Sequence, residues 1–360
     1  MGNEPREISD KSLRLQAASR ANDGFFSTFI LRKISIRITS GLVEKNVSPN
    51  TITFLSLLVG LVGAYFTSQS FYLAGGILLL CSLILDCVDG EIARYKSEFT
   101  QLGAWLDALS DRVKEFIYIF SLLYSVNEEI SWRVGFFVVA LQTVRHLSDY
   151  NFARLQKNYE SESGKNLSKG WFFWIRKIIQ LPIAERWLLL AALPLVFSIY
   201  ETMRIIVCLG ILSFVYALLT RFRRVTKWKN AEPEVAFLIQ QRDSFLPLNI
   251  SKSKVSWLIP SILRAIEFFA LLVITYDSSA MSKFYLIVGV ALWHYANLYD
   301  ALQGKSIFLG YAGLRMAGRI AICFIAQILG IESIAITFLS IYLILIILLR
   351  GWHNVARGSK

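Results

Sequence analysis

Forty consecutive residues, Asn46 to Leu85, carry no charged side chain. A helix crosses the hydrocarbon of a bilayer with about 20 apolar residues. The stretch therefore holds two spans, separated by the short polar turn Thr67-Ser68-Gln69-Ser70. Across all 360 residues, 55% are hydrophobic and 18% are charged. That balance excludes a disordered chain, a secreted disulfide scaffold and an ordinary soluble enzyme. Backbone polar groups in lipid must be satisfied within the segment, so long apolar runs become helices. The expected fold is an all-α, polytopic membrane helical bundle.

Further apolar runs follow at about 102–126, 132–152, 186–200 and 203–220, giving a six-span core over residues 47–222. About four extra C-terminal spans occupy 257–276, 283–301, 308–329 and 333–349, within a C-terminal membrane domain of residues 257–360. A basic linker, residues 223–256, separates the two parts. Residues 1–23 form a polar N-terminal tail with no apolar signal-peptide core. In residues 24–46, Phe26, Ile30, Ile34 and Ile38 recur at four-residue steps beside Arg32, Lys33 and Arg37. That pattern predicts an amphipathic helix in the headgroup plane, its cations reaching phosphates.

The net charge is +12. Its basic residues cluster between alternate apolar runs and at both ends. This is positive-inside placement, so both termini are expected in the cytoplasm of a cell (inner) membrane, and nucleic acid is not an expected partner. Cys81, Cys87, Cys208 and Cys323 lie in apolar runs without metal-ligand spacing, and read as reduced core residues.

The unusual residues are carboxylates. Asp86 and Asp89 are three apart near the end of the second run, and Asp107 and Asp111 are four apart near the start of the third. Either spacing puts both side chains of a pair on one helix face. Four such groups repel unless cations lie between them, and carboxylates at membrane depth face an interior or a wet cavity. Two hard divalent ions, Mg²⁺ or Mn²⁺, suit oxygen ligands and leave positions open for phosphate. Carboxylates, paired ions and phosphate together point to phosphoryl-type transfer. A cation-coupled transporter using the same buried carboxylates is the alternative. Gly90, beside Asp89, and the small residues Ala93, Gly103 and Ala104 favour close backbone approach and tight packing, which a transport path does not specifically need.

At these residues the chain resembles the CDP-alcohol phosphatidyltransferase family, whose signature is D-x2-D-G-x2-A-R-x8-G-x3-D-x3-D. Asp86, Asp89, Gly90, Ala93, Arg94, Gly103, Asp107 and Asp111 match it with every spacing kept. Eight fixed positions agree by chance at a given start with odds of roughly one in 10^10. Pro49-Asn50-Thr51-Ile52-Thr53, Tyr150 with Ala153-Arg154, and Glu185-Arg186 resemble further family stretches, so the likeness covers about residues 24–222.

The resemblance implies a transferase that moves a substituted phosphate from a CDP-alcohol to a hydroxyl acceptor and releases CMP. It implies that Asp86, Asp89, Asp107 and Asp111 bind two Mg²⁺ or Mn²⁺ ions, with Asp111 also the general base. Asn50, Thr53, Asp89, Gly90, Ala93, Arg94 and Gly103 would bind the CDP moiety. It further implies a homodimer within membrane lipid. Arg145, Arg154 and Arg186 are candidate ligands for a phosphorylated acceptor, since guanidinium groups suit phosphate. Asp23-Gly24-Phe25 with Arg32-Lys33-Ile34-Ser35 resembles the segment before the first span of di-myo-inositol-phosphate phosphate synthases. A phospholipid product and a polyol-phosphate product both stay open. In the C-terminal part, Trp293-His294-Tyr295, Asn297, Tyr299 and Asp300, with Arg315 and Arg319, form a polar cluster. His294 there reads as a satisfied structural histidine more readily than as a catalytic group.

Overall fold

The computed structural model describes residues 11, 13–15, 17–18, 24–98, 100–159, 170–228, 255–302 and 311–358. Among them every regular element is helical. A π-helical turn, Ser27–Leu31, leads into α1 (Arg32–Leu42). Then come α2 (Pro49–Ser68), α3 (Tyr72–Lys96), α4 (Gln101–Val126), α5 (Glu129–Tyr159), α6 (Trp171–Ile179), α7 (Ile183–Ala192) and α8 (Ile199–Val225). The C-terminal part contributes α9 (Ile259–Ile274), α10 (Ala280–Leu302), α11 (Arg315–Ile328) and α12 (Glu332–Gly358). The basic linker falls mostly on 229–254, and the tip of the long loop after α5 falls on 160–169. Both lie outside the described residues.

By length and apolarity, α2, α3, α8 and Glu332–His353 of α12 are able to cross a membrane, and α6 with Ile183–Leu195 adds a fifth span if that bent pair is one. Of the remaining expected spans, α9 and α11 are short, with 16 and 14 residues, and α4, α5 and α10 are long helices with more polar residues. The fifth run differs from its expected shape. Hydropathy places a single span at 186–200, whereas the chain forms α6, turns by 66° and continues as α7. Leu181 takes a left-handed φ of 45° immediately before Pro182, which caps α7. A proline cannot continue the preceding helix, so the bend falls there.

The helices group into two compact units. The first holds residues 1–126 and 169–202, and the second holds 127–168 and 203–360. In the first, α3 is central and packs on α1, α2 and α7, while α2 also packs on α4. Ser48 starts α2: its hydroxyl accepts the Thr51 amide at 3.2 Å, with Pro49 at the first helical position. Most of the polar N-terminal tail lies outside the described residues. Leu15 packs with Val43, Ile52, Val88 and Ile92, and Arg14 lies 4.5 Å from the Tyr95 ring centroid.

On one side of this segment Phe29 and Ile30 of the π-helical turn and Ile34 and Ile38 of α1 are exposed. Arg32, expected to reach phosphates, is turned inward instead. That guanidinium is buried and donates to Glu91 at 2.8 Å, while Ser35 and Thr39 each donate to the same carboxylate at 2.7 Å. Burying a cation in protein requires a partner, and the polar stripe Arg32, Ser35, Thr39 supplies the match for Glu91.

In the second unit, α5 packs on α9 and α10, and α10 packs on α12. His146 on α5 meets the Tyr295 hydroxyl on α10 at 2.6 Å, and Tyr150 meets Tyr299 edge-on. Thus a helix of the six-span core is built into one unit with the C-terminal helices. Seventeen residues of α10 are buried, including His294, Asn297 and Asp300. Each of these polar groups has a partner, as interior polar groups must.

Candidate active site: a carboxylate cluster on α3 and α4

Helical spacing sets the site. Asp86 and Asp89 share one face of α3, and Asp107 and Asp111 share one face of α4. The structure brings Asp86, Asp89 and Asp107 together, with one carboxylate oxygen from each lying within 4.8 Å of the others. Helix α2 orients two of them. Thr53 donates to Asp89 at 2.5 Å, and Ser56 donates to Asp86 at 2.6 Å. Asp89 is buried, and Asp86 shows only 8% of its side chain. Three hard oxygen donors, a set that among the described residues includes no sulfur or imidazole ligand, fit Mg²⁺ or Mn²⁺ better than zinc. The donor set therefore fits the divalent ions expected from the sequence.

Asp111 lies beside this set of three, against Asp86. Its carboxylate is held by Lys114, one turn further along α4, at 3.2 Å. Lys114 is fully buried. Its ammonium also contacts Asp86 and donates to the Ser56 hydroxyl at 2.8 Å. The alkyl stem runs past Gly60 of α2, where a Cβ would come within 2.9 Å of the Lys114 side chain. The ammonium lies 5.3 Å from the Trp187 ring centroid on α7. Sequence reasoning missed this lysine. Its only signal was a cation three residues after Asp111, on the same helix face.

The remaining candidate residues are placed as follows. Asn50 and Gly103 lie side by side, since a Cβ on Gly103 would stand 2.9 Å from the Asn50 amide oxygen. Gly90 leaves room for a neighbour on its own helix: a Cβ there would lie 3.1 Å from the Arg94 guanidinium. Arg94 also bonds the Ala18 carbonyl, which ties the N-terminal segment to α3. Ala93 is partly buried.

Arg186 on α7 is buried and committed to Glu115 of α4, through Nε at 2.5 Å and Nη2 at 3.0 Å. Arg112 donates to the same carboxylate at 2.8 Å. Arg145 and Arg154 are on α5, in the other unit. Arg145 is buried, 3.8 Å from Asp149, which also pairs with Arg221.

The C-terminal polar cluster is a buried ionic network. Glu267 on α9 accepts from Arg319 at 2.6 Å and Arg264 at 3.1 Å, and its other contact is His294 at 2.8 Å. All four groups are buried. Arg350 of α12 bonds Asn297 at 2.7 Å, pairs with Asp300 and lies 4.7 Å from the Trp293 ring centroid. His294 is accordingly a member of a buried ionic network.

These features define a helical membrane domain with a carboxylate site at one end of α3 and α4. Residues 46–216 match the CDP-alcohol phosphatidyltransferase family. That stretch, a little under half of the chain, is similar to the domain of that family.

Among curated proteins it is 40% identical over 129 residues to the bifunctional IPC transferase and DIPP synthase of Aquifex aeolicus, covering 35% of this chain and 28% of that protein. It is 38% identical over 130 residues to the protein of the same name from Thermococcus kodakarensis, covering 36% of this chain and 30% of that one. To the archaetidylinositol phosphate synthase of Pyrococcus horikoshii it is 31% identical over 101 residues, 28% of this chain and 52% of that one. The chain therefore spans less than a third of the length of the first two relatives. A solved structure of the Mycobacterium tuberculosis phosphatidylinositol phosphate synthase with CDP-DAG bound aligns over 55% of this chain and 96% of that one, at a TM-score of 0.38 and 19% identity.

Proposed function

We propose that this protein transfers a substituted phosphate from a CDP-alcohol to a hydroxyl acceptor and releases CMP, with two divalent ions held by Asp86, Asp89, Asp107 and Asp111. The observation that carries the reading is the convergence of three carboxylates within 4.8 Å, on the residues of the family signature. Bound ions would supply charge neutralisation at the donor pyrophosphate.

The chain's own residues do the rest. Thr53 and Ser56 fix the rotamers of Asp89 and Asp86, so the ligand set is pre-arranged. Asn50, Thr53, Asp89, Gly90, Ala93, Arg94 and Gly103 receive the CDP moiety. Asp111 takes the acceptor's proton as the acceptor oxygen bonds the phosphorus that carries the alcohol. The bond from that phosphorus to the CMP oxygen breaks, and CMP leaves with the electron pair. Holding the acceptor beside a fixed donor turns an encounter between two molecules into a step within one complex.

We place this chemistry at the cytoplasmic face of a cell (inner) membrane, in a homodimer. Similarity to the bifunctional IPC transferase and DIPP synthases and to an archaetidylinositol phosphate synthase supports a polyol-phosphate or inositol-phosphate acceptor. Arg145 and Arg154 are assigned to the acceptor phosphate from their place in the sequence. Arg186, engaged by Glu115, is assigned to bracing α7 against α4.

The test is CMP release by purified protein with Mg²⁺ or Mn²⁺. A panel of CDP-alcohols (diacylglycerol, inositol, glycerol, ethanolamine) is run against polyol and polyol-phosphate acceptors. One pair should give CMP, EDTA should stop it, and added Mg²⁺ should restore it. Release that persists in EDTA would refute the two-ion reading. With the active pair known, Arg145→Gln and Arg154→Gln should each raise the acceptor KM about tenfold or more, while the donor KM stays within about twofold. Equal acceptor KM values in wild type and both variants would remove the two arginines from the acceptor site.

A further inference from the structure

Lys114 is a buried cation inside a site built to hold cations. It reaches Asp86, Asp111 and the Ser56 hydroxyl at once, and Gly60 keeps a channel open for its stem. Its presence calls for an explanation beyond packing. A neutral side chain of similar length would fill the same volume without competing for metal ligands.

Formal charge suggests the reason. The four aspartates with Lys114 carry three negative charges. Two divalent ions bring four positive ones, so the loaded site holds one surplus positive charge. Without the lysine, the loaded site would be neutral. The surplus favours an anion, and the pyrophosphate of a nucleotide donor is one. The same ammonium repels incoming ions when no donor is present, and at these distances in a buried site that repulsion is large.

We propose that Lys114 is a built-in counter-cation that weakens divalent-ion binding to the empty site and couples firm ion binding to arrival of the CDP donor. This rests on the two-ion reading given above. Lys114 acts through Asp86 and Asp111 and is a positioning residue, without contact to reacting atoms.

The experiment measures free Mn²⁺ by electron paramagnetic resonance, in titrations of full-length wild type, Lys114→Met and Lys114→Arg in detergent, with and without CDP. In wild type, CDP should tighten Mn²⁺ binding roughly tenfold. Lys114→Met should bind Mn²⁺ alone roughly tenfold more tightly than wild type, and CDP should add at most about twofold. Lys114→Arg keeps the charge and should follow wild type within about threefold. If Lys114→Met is recovered only as aggregate, Lys114→Gln carries the same expectation, because its amide is neutral and keeps a hydrogen-bond donor.

Wild type that binds Mn²⁺ no more weakly than the neutral variants overturns the proposal. A CDP effect of equal size in all proteins overturns it as well. Absence of Mn²⁺ binding from every protein, with or without CDP, refutes the two-ion reading itself, a result distinguishable from the other two. Binding that emerges alone only in the neutral variants supports the lysine's role.

Discussion

An Asp111→Asn protein should release CMP at least about a hundredfold more slowly than wild type, and it should still bind a CDP-alcohol in the presence of metal. A positioned general base contributes about 10²- to 10⁴-fold, and asparagine keeps the shape while losing the proton acceptor. Donor binding survives because Asp86, Asp89 and Asp107 cluster without Asp111. Lys114 keeps its contacts to Asp86 and Ser56 in the variant, so the local helix packing has no reason to collapse. Rapid-quench measurement of CMP, paired with equilibrium binding of the donor, separates the two effects. Near-wild-type turnover would remove Asp111 from the role of base. Loss of donor binding together with turnover would make it a ligand only.

The second large effect is on stability and falls far from the chemistry in sequence. Glu267→Ala should cost about 3–5 kcal/mol, the range found when one partner of a buried ion pair is removed. Glu267 is the shared carboxylate of Arg264, Arg319 and His294, and all are buried. Its loss takes the shared carboxylate away from two buried guanidinium groups. Thermal unfolding in detergent should show a drop of many degrees, or the protein should fail to accumulate. His294→Phe removes one neighbour and leaves both arginines paired, so it should cost much less. If the two variants melt alike, the network is not what holds α9, α10 and α11 together.

Much of the site could be read in the chain because its code is local. Asp86 with Asp89 and Asp107 with Asp111 need only helical periodicity to share a face, and the structure converges three of them. The absence of His and Cys at ligand spacing pointed to hard ions before any coordinates. What stayed hidden is long-range. Glu91 finds Arg32 across 59 residues, Lys114 finds Asp86 across 28, and Glu115 finds Arg186 across 71. Nothing in a hydropathy window links such residues. Arg32 and Arg186 therefore looked like cations free for phosphates, although both are held by buried glutamates. The elbow between α6 and α7 escaped for a related reason. Trp171–Ile179 is apolar enough for helix yet follows a basic segment, and the turn hinges on Leu181 adopting a left-handed backbone that its residue type does not advertise.

The charges on α4 also bear on how the protein is made. Asp111, Arg112, Lys114 and Glu115 occupy four of five consecutive positions of one helix, and lipid accepts such a helix poorly by itself. The anion that matches Lys114 most closely outside α4 is on α3, already synthesised. The arginine that completes Glu115 is on α7, not yet translated when α4 leaves the ribosome. Biogenesis of this chain is thus a collective event. α4 settles only when an earlier helix and a later one close around it, and a polypeptide interrupted before Arg186 should be retained by the insertion machinery or degraded.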